Sequence, residues 1–270
     1  MSEAKGMTKM MRNDTKILRK LILDIAHYGQ DANLQSIFSS VEILWTLYYE
    51  AMNYGLNNMN DTNRDVFILS KGQSTMGVLA ILAQKGFFEK AELKKACQYD
   101  SFISMQADRT KVPGFEASAG SLGHGFPIAA GVAYGKKVQH QKGHVYVLAG
   151  DGEMNEGTMW EAALFCGSEG LDNLTLIVDD NHSIDVMLDV RSLQEKMKAF
   201  GFEVLTVDGH DITDIRKALL YRHDNKPVAV IAQTKRGYGS VTIMTDNTWF
   251  HRAPTEEELI KLKKEVDDFE

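Results

Sequence analysis

The chain has 270 residues, 44% of them hydrophobic and 25% charged, with a net charge of −7. That length supports one domain with a sizeable α/β core, and the acidic balance, with no Lys/Arg-rich run, leaves no footprint for nucleic acid. Nothing approaches a transmembrane stretch, and Met1 to Thr15 lacks the apolar core of a signal peptide, so the sequence implies a cytoplasmic protein with no membrane contact.

In chain order, Asn13 to Asn33 is amphipathic, with Ile17, Leu18, Leu21, Ile22 and Ile25 at helical spacing. Val41 to Asn53 forms a second predicted helix. Asp65 to Ser70 reads as a short strand that ends in Lys71-Gly72-Gln73, and a helix follows from about Met76 to Gly86. Ala91 to Gln98 is read as helical. Phe102 to Gly120 has no periodicity and contains Pro113, which predicts a long loop; such loops in compact domains usually carry function. A helix starts near Gly125, and its Ala129, Ala130 and Ala133 permit close packing. His144 to Ala149, Leu174 to Val178, Phe202 to Val207 and Val228 to Ala232 are apolar strands that alternate with helices, among them Thr158 to Gly170. This pattern predicts an α/β fold: a doubly wound parallel sheet with helices on both faces, in a single domain over 1–270. Cys97 and Cys166 are too few for a disulfide framework and fall in helical contexts, so both are expected as buried thiols. The 13 methionines read as core gap-fillers.

The densest chemical signal is Gly150-Asp151-Gly152-Glu153-Met154-Asn155-Glu156-Gly157, followed after about thirty residues by Asn181. Both Asp151 and Asn181 stand where a parallel strand ends, so a strand–helix–strand unit places them side by side. A carboxylate and an amide oxygen there can share a small hard cation and leave its other positions to phosphate oxygens. Gly152 lets backbone approach a diphosphate, and the following helix start favours anions. Gly-Asp-Gly alone is also an ordinary turn after a strand.

The order Gly-Asp-Gly, about thirty residues, then Asn resembles the thiamine diphosphate fingerprint. Its wording here, with Trp160-Glu161-Ala162-Ala163, is similar to that of transketolases. The likeness extends through Leu69-Ser70-Lys71-Gly72, Pro113 to Gly123, Val207-Asp208-Gly209-His210-Asp211 and His251-Arg252-Ala253-Pro254. It implies thiamine diphosphate and a divalent metal, magnesium or in its place calcium or manganese. The implied metal ligands are Asp151, Asn181 and the Ser183 carbonyl, although the Asn181 to Asp185 loop is one residue shorter than the family's. Gly150, Gly152 and Glu153 would follow the phosphates, Gly120, Ser121 and Leu122 would meet the aminopyrimidine, and Ile184 would pack beside the cofactor. Glu156 matches a carboxylate in the family's subunit-interface network, and His251 its late histidine; these are the implied catalytic residues. Three further histidine positions are occupied by amides, Asn33, Gln73 and Gln106. Gln73 would also border the cofactor, and all three would line the substrate channel with His251.

Amides hydrogen-bond but do not titrate near neutral pH, and a lost proton shuttle typically costs about 10²–10⁴-fold in rate. The cofactor anchors are intact while groups facing the sugar have changed, which argues for an altered substrate. The resemblance covers only the first of three transketolase domains. It therefore implies the N-terminal subunit of a split transketolase, moving a two-carbon ketol unit from a ketose donor to an aldehyde acceptor. The partner would be a C-terminal subunit with the pyrimidine-binding domain and the catalytic glutamate, in an α2β2 heterotetramer. Two alternatives stand beside this reading: a non-catalytic or regulatory partner, or part of another thiamine diphosphate enzyme class.

Overall fold

Five strands, β1 (Val66–Leu69), β2 (Val145–Gly150), β3 (Leu174–Asp180), β4 (Glu203–Asp208) and β5 (Val228–Gln233), form one sheet in the order β1-β2-β3-β5-β4. Every pairing is parallel. The computed structural model that shows this describes residues 2–186 and 188–269, with side chains described from residue 11 onward apart from Ile184 and Val186. Strands β1, β2 and β3 are buried along their whole length, as strands covered on both faces must be, which is why they read as continuous apolar runs.

Along the chain the helices are α1 (Ser2–Gly29), α2 (Leu34–Ser39), α3 (Val41–Thr46), α4 (Thr75–Gln84), α5 (Gly125–Val138), α6 (Gly157–Ser168), α7 (Leu193–Ala199), α8 (Ile212–Leu220), α9 (Val241–Thr245) and α10 (Glu256–Asp268). The strand period of two divides them into layers. On one face Val145, Val147 and Ala149 of β2 pack with Phe126 and Ala133 of α5, Met159 and Ala163 of α6, and Met197 of α7. On the other, Tyr146 and Leu148 pack with Leu18 and Ile22 of α1, Leu44 of α3, Leu79 of α4 and Leu219 of α8. Among the described residues no helix is long and apolar enough to cross a membrane.

Four local readings need correction. The first predicted helix does not reach Asn33; it ends at Gly29, where Gln30 takes φ +58°, and Asn33 instead caps the unforeseen α2 by accepting from the Ser36 amide at 3.2 Å. Val41 to Asn53 is a helix, but its second half, Leu47–Ala51, widens into a π-turn. Ala91 to Gln98 is a 3-10 helix over Lys90–Lys95 and then a turn. Within it only Leu93 is buried, and Ala96, also buried, follows in extended backbone that ends the winding. Cys97 follows at φ +59° and is exposed, so the expectation of a buried thiol fails there and holds only for Cys166. The closing helix α10 was not expected, although its start is legible in the sequence: Thr255 and Glu258 form a capping box.

The Val207 to Asp211 motif turns out to be structural. His210 Nδ1 lies 3.1 Å from a Glu42 carboxylate oxygen, while Nε2 accepts from the Lys235 amide at 2.9 Å. Nδ1 is therefore the protonated nitrogen. Arg19 grips the same carboxylate with both terminal nitrogens, at 2.6 and 2.7 Å. Burial alone would raise the Glu42 carboxyl, but Arg19 and His210 outweigh it and hold it at about 2. This fastens the β4–α8 turn to α1 and α3.

Candidate functional site

The carboxyl ends of β1, β2 and β3 lie side by side, and each is followed at once by a functional group. Gly150 pairs in register with Asp179, so Asp151 and Asn181 leave neighbouring strands at nearly the same height. Both are buried, Asp151 at 1% and Asn181 at 3% exposure. Asp151 caps the short turn Gly152–Asn155, where its carboxylate accepts from the Gly152 amide at 2.8 Å. The Asn181 amide oxygen accepts from the Ser183 amide at 3.1 Å and from the Ser183 hydroxyl. A carboxylate and an amide oxygen on adjacent strand ends are the hard donors a divalent cation takes, so the residues fit a metal-bound diphosphate. The side chain of Ile184, expected beside the cofactor, lies outside the described residues.

Glu153 plays a part its sequence position did not reveal. It points inward, 2% exposed, and its carboxylate accepts from the Ser70 hydroxyl at 2.5 Å, the Gly123 amide at 2.8 Å and the Gly150 amide at 3.4 Å. One side chain thus joins the segments that follow β1, β2 and the long loop. Burial raises its carboxyl above the ordinary value, against the lowering effect of these hydrogen bonds.

The long loop brings two expected elements together. A Cβ on Gly72 would stand 2.8 Å from the Gly120 Cα and 2.5 Å from the Gln106 amide oxygen, so these backbones approach as only glycine allows. Gln106 covers both glycines, and half-buried Gln73 stands next to Gly72. Gly120 therefore borders the Gln73 turn, and Ser121 and Leu122 follow it in the chain. Beyond them Gly123, at φ +80°, fits against Glu156 and Thr158 at the start of α6. Glu156 itself is exposed.

Asn33 and His251 form a second group. The Arg252 amide donates to the Ala32 carbonyl at 2.9 Å, which staples the His251 turn to the start of α2. His251 is exposed, at φ +53°, with Nδ1 3.4 Å from an Asp31 oxygen. Among the described residues no hydrogen bond joins Asn33 or His251 to Gln73 or Gln106. What links the two groups is α2: Asn33 caps its start, and at its end Ser40 meets Ser74 at 2.8 Å, hydroxyl to hydroxyl. Six residues at about 1.5 Å rise put the groups roughly 9 Å apart along that helix.

Two further features escape a reading of the sequence. Lys71 and Asp179 form an ion pair with side chains 3% and 0% exposed, directly beneath Asn181. The available signal is a charge at the end of each of two buried strands, since a buried charge requires a partner. The other is Arg191, which reaches Asp185 at 2.7 Å and Asp180 at 3.4 Å. Burial opposes its charge, but Asp180, Asp185 and nearby Asp151 outweigh it and raise the guanidinium above its usual value.

A parallel α/β domain with a carboxylate, an amide and glycine backbone gathered at the carboxyl ends of its strands belongs to the class that carries diphosphate ligands there. Comparison with known proteins narrows this. The family described as "Transketolase, thiamine diphosphate binding domain" matches residues 11–270, and the chain belongs to that family. It is 34% identical to an apulose-4-phosphate transketolase subunit of Actinobacillus succinogenes, over 93% of this chain and 94% of that one. It is 31% identical to a 6-deoxy-6-sulfo-D-fructose transketolase subunit of Clostridium sp., over 85% and 86%. The transketolase of Campylobacter jejuni superposes with a TM-score of 0.87 at 26% identity, covering 97% of this chain and 43% of that one. The chain therefore spans well under half the length of the solved transketolase chain it matches.

Proposed function

We propose that this chain is the N-terminal, diphosphate-binding subunit of a two-subunit transketolase in the cytoplasm, with a substrate other than the common pentose phosphates. The observation that carries the reading is the pairing of an intact anchor, Asp151 and Asn181 buried on adjacent strand ends, with close similarity to proteins named as transketolase subunits. Asp151, Asn181 and the Ser183 carbonyl would hold magnesium or a similar cation. Gly150, Gly152 and Glu153 would border the diphosphate, Glu153 by holding the cradle shut as well as by its backbone. Gly120, Ser121 and Leu122, with Gln73, would face the aminopyrimidine. When bound, thiamine diphosphate supplies the carbon nucleophile that carries a two-carbon unit from a ketose to an aldehyde.

The chain's own residues then orient substrate. His251 would line the channel with its imidazole, while Asn33, Gln73 and Gln106 would position hydroxyls but not move protons near neutral pH. Glu156 would meet a second copy or the partner subunit, a reading its exposure supports. The C-terminal partner would contribute the pyrimidine-binding domain and its glutamate, in an α2β2 heterotetramer. The test is to purify the chain with its partner and screen ketose donors against aldehydes. Ketol transfer is expected from the complex and not from the chain alone; measurable transfer by the chain alone would overturn the two-subunit reading.

A further inference from the structure

The Asn181 side chain is held from below by two groups that lie outside the diphosphate site itself, Ser39 and Asp179, and Lys71 supports both. Its amide nitrogen lies 3.2 Å from the Ser39 hydroxyl and 3.4 Å from an Asp179 oxygen. A carboxylate repels an amide oxygen and accepts from an amide nitrogen, so Asp179 favours the same orientation that the Ser183 donors favour at the amide oxygen. Asp179 is fully engaged: one oxygen accepts from Ser39 at 2.6 Å and from Lys71, and the other accepts from Thr234. Lys71 balances its charge and also donates to the Ser36 carbonyl at 2.6 Å and the Ser39 oxygen at 3.2 Å.

Ser39 is the centre of this arrangement. A hydroxyl has one proton and two lone pairs. Here the proton goes to Asp179 at 2.6 Å, with the Ser36 carbonyl a second acceptor at 2.9 Å, and the lone pairs receive Lys71 and Asn181. Its exposure is 0%, so water does not compete.

We propose that Ser39 and the Lys71–Asp179 pair are positioning groups that lock the Asn181 amide with its oxygen turned outward, toward the cation of the diphosphate. The inference rests on Asn181 serving as a metal ligand. Because Ser39 ends α2, whose start carries Asn33, the same lock fixes the substrate-side helix relative to the metal ligand. Without these acceptors on its nitrogen the amide keeps only the Ser183 donors on its oxygen, and a less firmly held amide would present its nitrogen to the cation for part of the time. Loss of such an outer partner typically weakens metal binding about 10–100-fold.

The test uses Mn²⁺ with saturating thiamine diphosphate and the chain assembled with its partner, following the free-ion electron paramagnetic resonance signal. Ser39→Ala should weaken Mn²⁺ binding about 10–100-fold, and Ser39→Thr, which restores a hydroxyl, should recover most of it. Binding by Ser39→Ala within twofold of the parent overturns the proposal. Asn181→Ala, measured alongside, separates the two readings. If it is impaired while Ser39→Ala is not, only the positioning role falls; if it too binds normally, the metal site itself is wrong. The unmodified chain gives a check that no folding failure can blur. In ¹H–¹⁵N spectra, the Asn181 side-chain protons, assigned by their loss in Asn181→Asp, should exchange slowly with water even without metal. A freely exchanging pair would also overturn the lock.

Discussion

Ser70 and Glu153 meet at 2.5 Å, hydroxyl to carboxylate, and through this contact the end of β1 is tied to the turn that follows β2. Glu153 also holds the Gly123 amide and, at 3.4 Å, the Gly150 amide, so truncation would strand the Ser70 and Gly123 donors, release Gly150 and open a cavity. Glu153→Ala is expected to cost about 2–4 kcal/mol in urea unfolding and to loosen the Gly120 to Gly123 segment. Glu153→Gln keeps one acceptor oxygen for both donors and should cost less than half as much. Equal losses in the two variants would mean that the side chain fills space rather than organising the cradle.

The Glu42 carboxyl gives an acid limb to stability. Its ordinary value is 4.5 and the folded value is about 2, so its stabilisation is complete above about pH 4.5 and disappears as pH falls toward 2. The difference corresponds to about 3 kcal/mol. Glu42→Gln leaves Arg19 buried without its counter-charge and should be less stable than the parent at pH 7 by about 3–5 kcal/mol. The gap should narrow steadily below pH 4.5. A gap that stays constant down to pH 2 would show that Arg19 and His210 do not depress this carboxyl.

Removing either proposed metal ligand should separate folding from binding. Asp151→Ala or Asn181→Ala is expected to abolish metal-dependent thiamine diphosphate binding by the complex, because lost charge compensation cannot be made up by glycine backbone. Calorimetry decides: a double variant that binds cofactor as tightly as the parent places the site elsewhere.

Gly72→Ala probes the close approach of the Gln73 turn to the long loop. The added methyl would lie 2.8 Å from the Gly120 Cα, so one backbone must shift. The expected cost is about 1–3 kcal/mol, accompanied by weaker cofactor binding. Unchanged cofactor affinity would separate the Gly120 to Leu122 segment from the aminopyrimidine.

The three amides predict poor turnover of xylulose 5-phosphate with ribose 5-phosphate. Restoring histidine at Asn33, Gln73 and Gln106 together should move preference toward sugar phosphates, provided the partner retains its phosphate-binding groups. The measurement is kcat/KM for that pair with the unmodified complex. A value of about 10⁴ M⁻¹s⁻¹ or above would show that the amides are tolerated replacements.

The sequence by itself determined the parallel sheet and the position of Asp151 and Asn181 at the carboxyl ends of two of its strands. Both are local matters: buried strands announce themselves as contiguous apolar runs, and a group next to a run in the chain is next to it in space. The long loop was legible for the same reason, through Pro113 and the absence of any period. Tertiary structure alone decided what depends on residues far apart in the chain. Ser39 meets Asp179 across 140 positions and Lys71 meets it across 108, and neither partner carries a local mark of the other. Cys97 was sent to the surface by a left-handed turn that winds against the helix its sequence suggested. Glu153, which adjacency alone placed beside the phosphates, turned inward because three donors from separate segments converge on the space beneath it.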